Sequence, residues 1–168
     1  LKININSVSV PNKLSFKAAI ALGIIGEISS FETTYSSGSG SENRNHNIAL
    51  VASLLNNSIC KGGGNTWSYN DIAGDCNAEK GFKEAGSIYG STYTKEIGGG
   101  ICQVATTVFN AVYEAGYAIP VRTNHDLHIA SYPAGRDAAI SWPLPDLIWR
   151  NDEESDVLVK VESTGYSV

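Results

Sequence analysis

At 168 residues the chain is long enough for one domain with a sizeable core and short for two. Hydrophobic residues make up 42% and charged residues 17%, a balance that excludes an intrinsically disordered chain. A formal net charge of −5, a pI near 5.1 and the lack of any Lys/Arg cluster exclude a phosphate track for nucleic acid.

The chain opens on Leu1 and contains no Met, so it reads as a soluble piece excised from a longer protein, with targeting signals expected elsewhere. The longest apolar run, residues 18–25, is interrupted by Gly23 and is too short to span a bilayer. Residues 1–14 read as a linker or the tail of a preceding module. Ser15 is placed to cap a short helix through about Leu22, stopped by Gly23. Residues 24–34 read as a strand and the Ser/Gly run at 36–41 as a flexible loop. The domain proper is expected over 31–168, with 1–30 leading into it.

Residues 45–55 are expected to form a helix, because Ile48, Val51, Ala52 and Leu55 recur at helical spacing. The Gly62-Gly63-Gly64 run, followed by alternating Trp67 and Tyr69, suggests a turn into a short strand. Residues 71–81 are turn chemistry. Residues 82–94 read two ways: Phe82, Ala85 and Ile88 at helical spacing, or an extended stretch over 87–94. A second helix is expected over 101–115, with Ile101, Val104, Ala105, Val108, Val112 and Ala115 facing the core and Gly116 as its stop. Strands are expected near 119–122, 127–132, 138–142, 147–150 and 157–162, punctuated by Pro133, Gly135, Pro143 and Pro145. Helices first and strands last predict an α+β fold, a mostly antiparallel sheet packed on two main helices.

Cys60, Cys76 and Cys102 are the three cysteines. Cys60 and Cys76 lie 16 residues apart in a polar, glycine-rich region, and the sequence leaves open whether they form a disulfide or never meet. A pairing would imply an oxidising location.

Cys102 carries the chemistry. It follows Gly98-Gly99-Gly100 at the start of the second helix. Glycines there permit close backbone approach, and a helix N-terminus offers unpaired N–H groups and positive dipole. Such a position favours thiolate and suits stabilisation of an oxyanion. A nucleophilic Cys wants a base and an orienting group. His125 and, across the 133–135 turn, Asp137 fill those roles if the flanking segments pair as a hairpin. The order Cys, His, Asp is that of papain-like and transglutaminase-like acyl transferases, an analogy of geometry. A buried structural cysteine is the competing reading. His128 would face away from His125 on a strand, and His46 reads as solvated. Cys102, His125, His128 and Asp137 lack the tight spacing of zinc motifs, so no metal or other cofactor is expected.

Five stretches together resemble the VanW domain family. They are Arg44-Asn45-His46-Asn47-Ile48; Trp67-Ser68-Tyr69-Asn70; Gly98-Gly99-Gly100-Ile101-Cys102-Gln103-Val104 with Thr106-Thr107; Arg122 with His125; and Gly135-Arg136-Asp137-Ala138. The matches are collinear from about Phe31 to Asn151, and the GGGICQ segment is the most specific. The family takes its name from glycopeptide-resistance gene clusters of Gram-positive bacteria. The resemblance implies an extracytoplasmic, cell-surface or cell-wall protein whose parent is membrane-anchored. It also implies an L,D-transpeptidase that builds 3-3 cross-links between peptidoglycan stem peptides through the motif cysteine, here Cys102. Gly99, Gly100 and Gln103 would then serve the oxyanion, and Arg44, Arg122, Asn70 and Trp67 the substrate. Each Arg reads equally as a structural ion pair, and Trp67 as core. The chain departs from the family pattern at Cys60, Cys76 and Asp126, and it lacks the Ser-His-Gly-Cys stretch of the better-known L,D-transpeptidases. A cysteine peptidase and a non-catalytic wall-binding module are the rival readings; oligomeric state is not legible.

Overall fold

The computed structural model describes residues 16–21, 23–89 and 92–168. The fold is α+β, with every strand pairing antiparallel. Helix α1 (Phe16–Ala21) opens the described chain within the span expected of it. The linker expected over 1–14 lies outside the described residues, as do Ser15 and Leu22. The strand expected over 24–34 does not form. Its first half is largely exposed, with nothing to pair against. Only at its end do Thr33 and Tyr35 exchange backbone hydrogen bonds with the C-terminal residues Tyr166 and Val168.

Helix α2 (Glu42–Leu55) starts three residues before the expected boundary. It buries the expected face of Ile48, Val51, Ala52 and Leu55, together with Asn47. The face packs on α4 (Ile101–Glu114), which contributes Val104, Ala105, Val108 and Val112. A buried Asn is tolerated because its amide is fully engaged. Asn47 accepts from the Lys83 N–H and donates to the Lys83 and Gly99 carbonyls, so α2 holds the glycine run from below.

The single sheet expected from the sequence is instead three small ones. Strand β1 (Ser58–Cys60) pairs with β7 (Val157–Val159). Strands β2 (Asn65–Ser68), β6 (Ile148–Asn151) and β5 (Ala118–Val121) form the three-stranded sheet, with β6 central. Trp67 sits opposite Trp149 in register, both buried, ring centroids 6.2 Å apart. Four residues of β5, Ala118–Val121, span three of β6 around Pro120, which has no N–H for the ladder. Residues 82–94 resolve to the extended alternative, a hairpin of β3 (Glu84–Tyr89) and β4 (Thr92–Ile97).

Trp67 and Tyr69 do not share a strand. Ser68 leaves β2 extended and accepts the Asp71 N–H, which caps the short helix α3 (Tyr69–Ala73). The strands expected at 127–132 and 138–142 are also absent. The reason at 138–142 is specific: the backbone of residues 136–140 bonds to side chains of α4 instead of to a neighbouring strand, as described below. Among the described residues, no helix is long and apolar enough to cross a membrane.

Candidate active site

Three side chains of α4, spaced four residues apart, meet alternate residues of the extended segment 136–140. Asn110 donates to the Arg136 carbonyl (2.8 Å) and accepts from the Arg136 guanidinium. Thr106 Oγ1 accepts from the Ala138 N–H (2.9 Å) and bonds the Ala138 carbonyl (3.3 Å). Cys102 Sγ accepts from the Ile140 N–H (3.4 Å) and donates to the Ile140 carbonyl (3.5 Å). The match is geometric: four residues of helix rise ~6 Å, and two residues of extended chain span ~6.6 Å. Residue 137 lies between two rungs, free to turn away from the helix.

Asp137 meets His125 there. Its Oδ2 accepts both from the His125 backbone N–H (2.8 Å) and from Nδ1 of the ring (2.7 Å). Segments 122–125 and 137–139 run side by side, with the Ala139 N–H donating to the Thr123 carbonyl. The expected approach of His125 and Asp137 therefore occurs without the predicted strands. With Nδ1 on Asp137, Nε2 is the ring nitrogen left for another partner. The interaction with the Cys102 side chain is the largest influence on the ring and holds its pKa above the ordinary 6.5; burial opposes, and Asp137 adds to the rise. Burial alone would raise the Asp137 pKa, but the hydrogen bonds from the His125 N–H and ring outweigh it and hold the carboxyl below its usual range. Cys102, His125 and Asp137 are thus brought together. His125 and Asp137 are mostly buried, at 7% and 14% side-chain exposure.

The remaining expected site residues divide. Gly100 has φ +110° at the N-cap, a conformation L side chains rarely adopt, and Arg44 packs over it. Gly99 is buried against β3, where an added Cβ would lie 2.5 Å from the Ala85 carbonyl oxygen. Its N–H bonds Glu96, the Ile101 N–H bonds Gly98, and the Gln103 N–H bonds Gly100. Among the described residues, the N–H groups of Gly100 and Cys102 meet no acceptor. The Gly99 and Gln103 N–H groups, by contrast, are already engaged. Gln103 is 4% exposed; its amide donates to Thr33 Oγ1 and the Thr34 carbonyl and accepts from Arg44, a structural bridge rather than a ligand group.

Asn70 is likewise corrected. It is 4% exposed, and its amide nitrogen donates to the carbonyls of Ser141, Pro143 and Pro145, fixing the loop beyond Ile140. Trp67 is core, 2% exposed, and walls no groove. Arg122 donates to the Asp137 and Gly135 carbonyls and reaches the Asp137 carboxylate at 3.4 Å, so it clamps the turn that carries Asp137. Arg44 keeps donors beyond its bond to Gln103 and is half-buried beside the site. Cys60 and Cys76 are free thiols, so the disulfide left open by the sequence is not made. Cys60 donates to the Asn65 carbonyl beside β2, Cys76 to the Gly74 carbonyl after α3. Burial pushes Cys76 up to about 11, the mark of an unreactive thiol. His46 is exposed and lies 2.9 Å from the Gly81 carbonyl, and His128 is exposed in the cleft beside His125.

Tyr132 and Asp146 escaped the sequence reading, and Tyr69 was read there only as an aromatic beside Trp67. Tyr69 donates from its hydroxyl to the Ile101 carbonyl, tying α3 to the start of α4. Asp146 is buried, accepting from Ser68, the Asn70 N–H and the Leu147 N–H. Tyr132 lines the cleft with His125 and Asp137, and burial pushes its hydroxyl up to about 12 against the pull of Arg44, so it remains a donor. Tyr69 stood inside the Trp-Ser-Tyr-Asn stretch, but no signal marked the other two.

A mostly buried His–Asp pair acting on a cysteine at a helix start defines a site able to move a proton to and from a thiol. Residues 43–168 match the model of the VanW like protein family, and the chain belongs to that family. It is 36% identical over 130 residues to an uncharacterized protein, YoaR, of Bacillus subtilis (strain 168), an alignment covering 77% of this chain. The aligned region makes up 43% of YoaR, so the chain spans less than half of that relative's length. No solved structure matches the chain.

Proposed function

We propose that this domain is a cysteine-dependent acyl transferase of the bacterial cell surface, an L,D-transpeptidase forming 3-3 cross-links between peptidoglycan stem peptides. The observation that carries the reading is the hydrogen-bonded His125–Asp137 pair set against Cys102 at the N-terminus of α4. The thiol gives its proton to His125 as sulfur attacks the carbonyl between the diamino acid and the terminal D-Ala of a donor stem. The oxyanion lies on the Gly100 and Cys102 N–H groups. His125 passes the proton to the departing D-Ala amine, the C–N bond breaks, and a thioester remains on Cys102. The side-chain amine of a second stem then attacks the thioester, His125 takes its proton, and the thiol is restored. Asp137 keeps Nδ1 protonated and the ring turned to the sulfur.

Mass spectrometry after incubation with a stem tetrapeptide tests the first step: an acyl adduct on Cys102, lost in Cys102→Ser, is expected. Muropeptide analysis tests the second: new dimers are expected. Shortened stems without dimers would make the domain a peptidase. No adduct, with peptide binding unchanged in Cys102→Ser, would make it a wall-binding module.

A further inference from the structure

Two clefts border the Cys102 segment. One, ≈ 310 Å³, is lined by His125, His128, Tyr132 and Asp137. The other, ≈ 450 Å³, lies between the start of α2 and the β3–β4 hairpin and is lined by Glu42, Arg44, Glu84, Gly86 and Lys95. Its lining touches the glycine run: Arg44 packs on Gly100, and the backbone of Ala85 and Gly86 packs on Gly99. The charge of Arg44, which lines the second cleft, also acts on Tyr132, which lines the first.

The second cleft has an open floor. Lys95 is paired directly across from Gly86, where a Cβ would meet nothing within 4 Å, and Glu84 lies two residues from Gly86 on the same face of β3. Glu84 and Lys95 form no ion pair with any described residue, and Arg44 bonds only the neutral amide of Gln103. Glu42 likewise forms no ion pair with any described residue, so the cleft holds two unneutralised carboxylates and two unneutralised cations around a gap, which suits an extended peptide bearing both a carboxylate and an ammonium group.

We infer that the α2/β3–β4 cleft is the acyl-donor subsite and that the His125 cleft receives only amines. The inference rests on the acyl-transfer reading above. Its polarity follows from proton transfer. His125 must reach the nitrogen that leaves and the nitrogen that attacks, so both amines occupy its cleft. The acyl part of the donor then extends the other way from the sulfur, past Gly100 and Arg44 toward Lys95 and Glu84. The donor's carboxylate faces Arg44 and Lys95, and its ammonium group faces Glu84.

The test splits the two half-reactions with a synthetic stem tetrapeptide as donor and a stem tripeptide with a free side-chain amine as acceptor. In Lys95→Glu and Glu84→Lys, the donor concentration for half-maximal acylation of Cys102 should rise about tenfold, the loss of one charge-assisted contact, with the limiting rate little changed. Aminolysis of preformed thioester should proceed as in the parent protein. Acylation at parent concentrations in both variants, or a defect confined to the amine step, overturns the assignment. Amide shifts on adding tetrapeptide to Cys102→Ser give an independent readout. Shifts at 42–44, 84–86 and 95 are expected, and shifts only at 124–135 overturn the subsite. If peptide binds at 84–95 and no thioester ever forms on the parent protein, the reaction falls and the subsite stands.

Discussion

Thr106→Val is the sharpest probe of how the site is held. Valine matches threonine in shape, so packing against α4 is kept and only the hydroxyl is lost. That hydroxyl serves both the N–H and the carbonyl of Ala138, a residue with no exposed surface. Each buried backbone group left unpaired costs ~1–3 kcal/mol, so about 2–6 kcal/mol is expected for the two together. For a domain of this size that corresponds to a fall in Tm of roughly 4–24 °C. Ala138 follows Asp137, so the loss should also loosen the carboxylate and lower the pKa of His125, which NMR titration of the ring reads directly. Urea unfolding with the titration checks both effects. Unchanged stability and an unchanged His125 titration would refute the claim that the Thr106 contact positions Asp137.

Asp137→Asn removes a group that raises the His125 pKa, so the acidic limb of Cys102 acylation, which needs the unprotonated ring to take the thiol proton, should move to lower pH; a pH–rate profile with an unmoved limb would remove Asp137 from the site. His125, raised from 6.5, contributes stability in full below 6.5 and loses it as pH rises through its higher folded value. Asp137, lowered from 3.8, contributes above 3.8 and loses it as pH falls through its lower folded value, so stability from the pair should be greatest between those limits in denaturation across pH. Asn70→Ala should destabilise by about 2–4 kcal/mol, since it strips three loop carbonyls of a buried donor, and should raise protease cutting within 141–145. Gly99→Ala should cost ~1–3 kcal/mol or more, because the new Cβ meets backbone of β3 that must shift, and Tm should show it even though the φ there is ordinary.

What was legible in the sequence was what is local. Ile48, Val51, Ala52 and Leu55 mark α2, and the equivalent stripe marks α4, because helical spacing is written within a dozen residues. The nearness of Cys102, His125 and Asp137 was reachable through the order of chemical groups. The strands at 24–34, 127–132 and 138–142 were misread because β composition does not name a partner. The partner of 136–140 is the polar side of a helix, which leaves no alternating pattern. Asn70 and Gln103 were misread for a related reason: a polar residue inside a motif resembles a ligand group, yet both are buried, the Asn70 amide nitrogen on loop carbonyls and the Gln103 amide on Thr33, Thr34 and Arg44. Tyr132 and Asp146 act across the fold and carried no local mark.

The series of contacts from α4 to 136–140 has a bearing on what substitution at position 102 does. A carboxamide, a hydroxyl and a thiol occupy equivalent places in it, each meeting one backbone unit of the segment. A serine hydroxyl at 102 can play the part that the threonine hydroxyl plays at 106. Architecture and reactivity are therefore separable at this residue. A chain that loses the sulfur keeps the hold of α4 on 136–140, and with it the placing of Asp137.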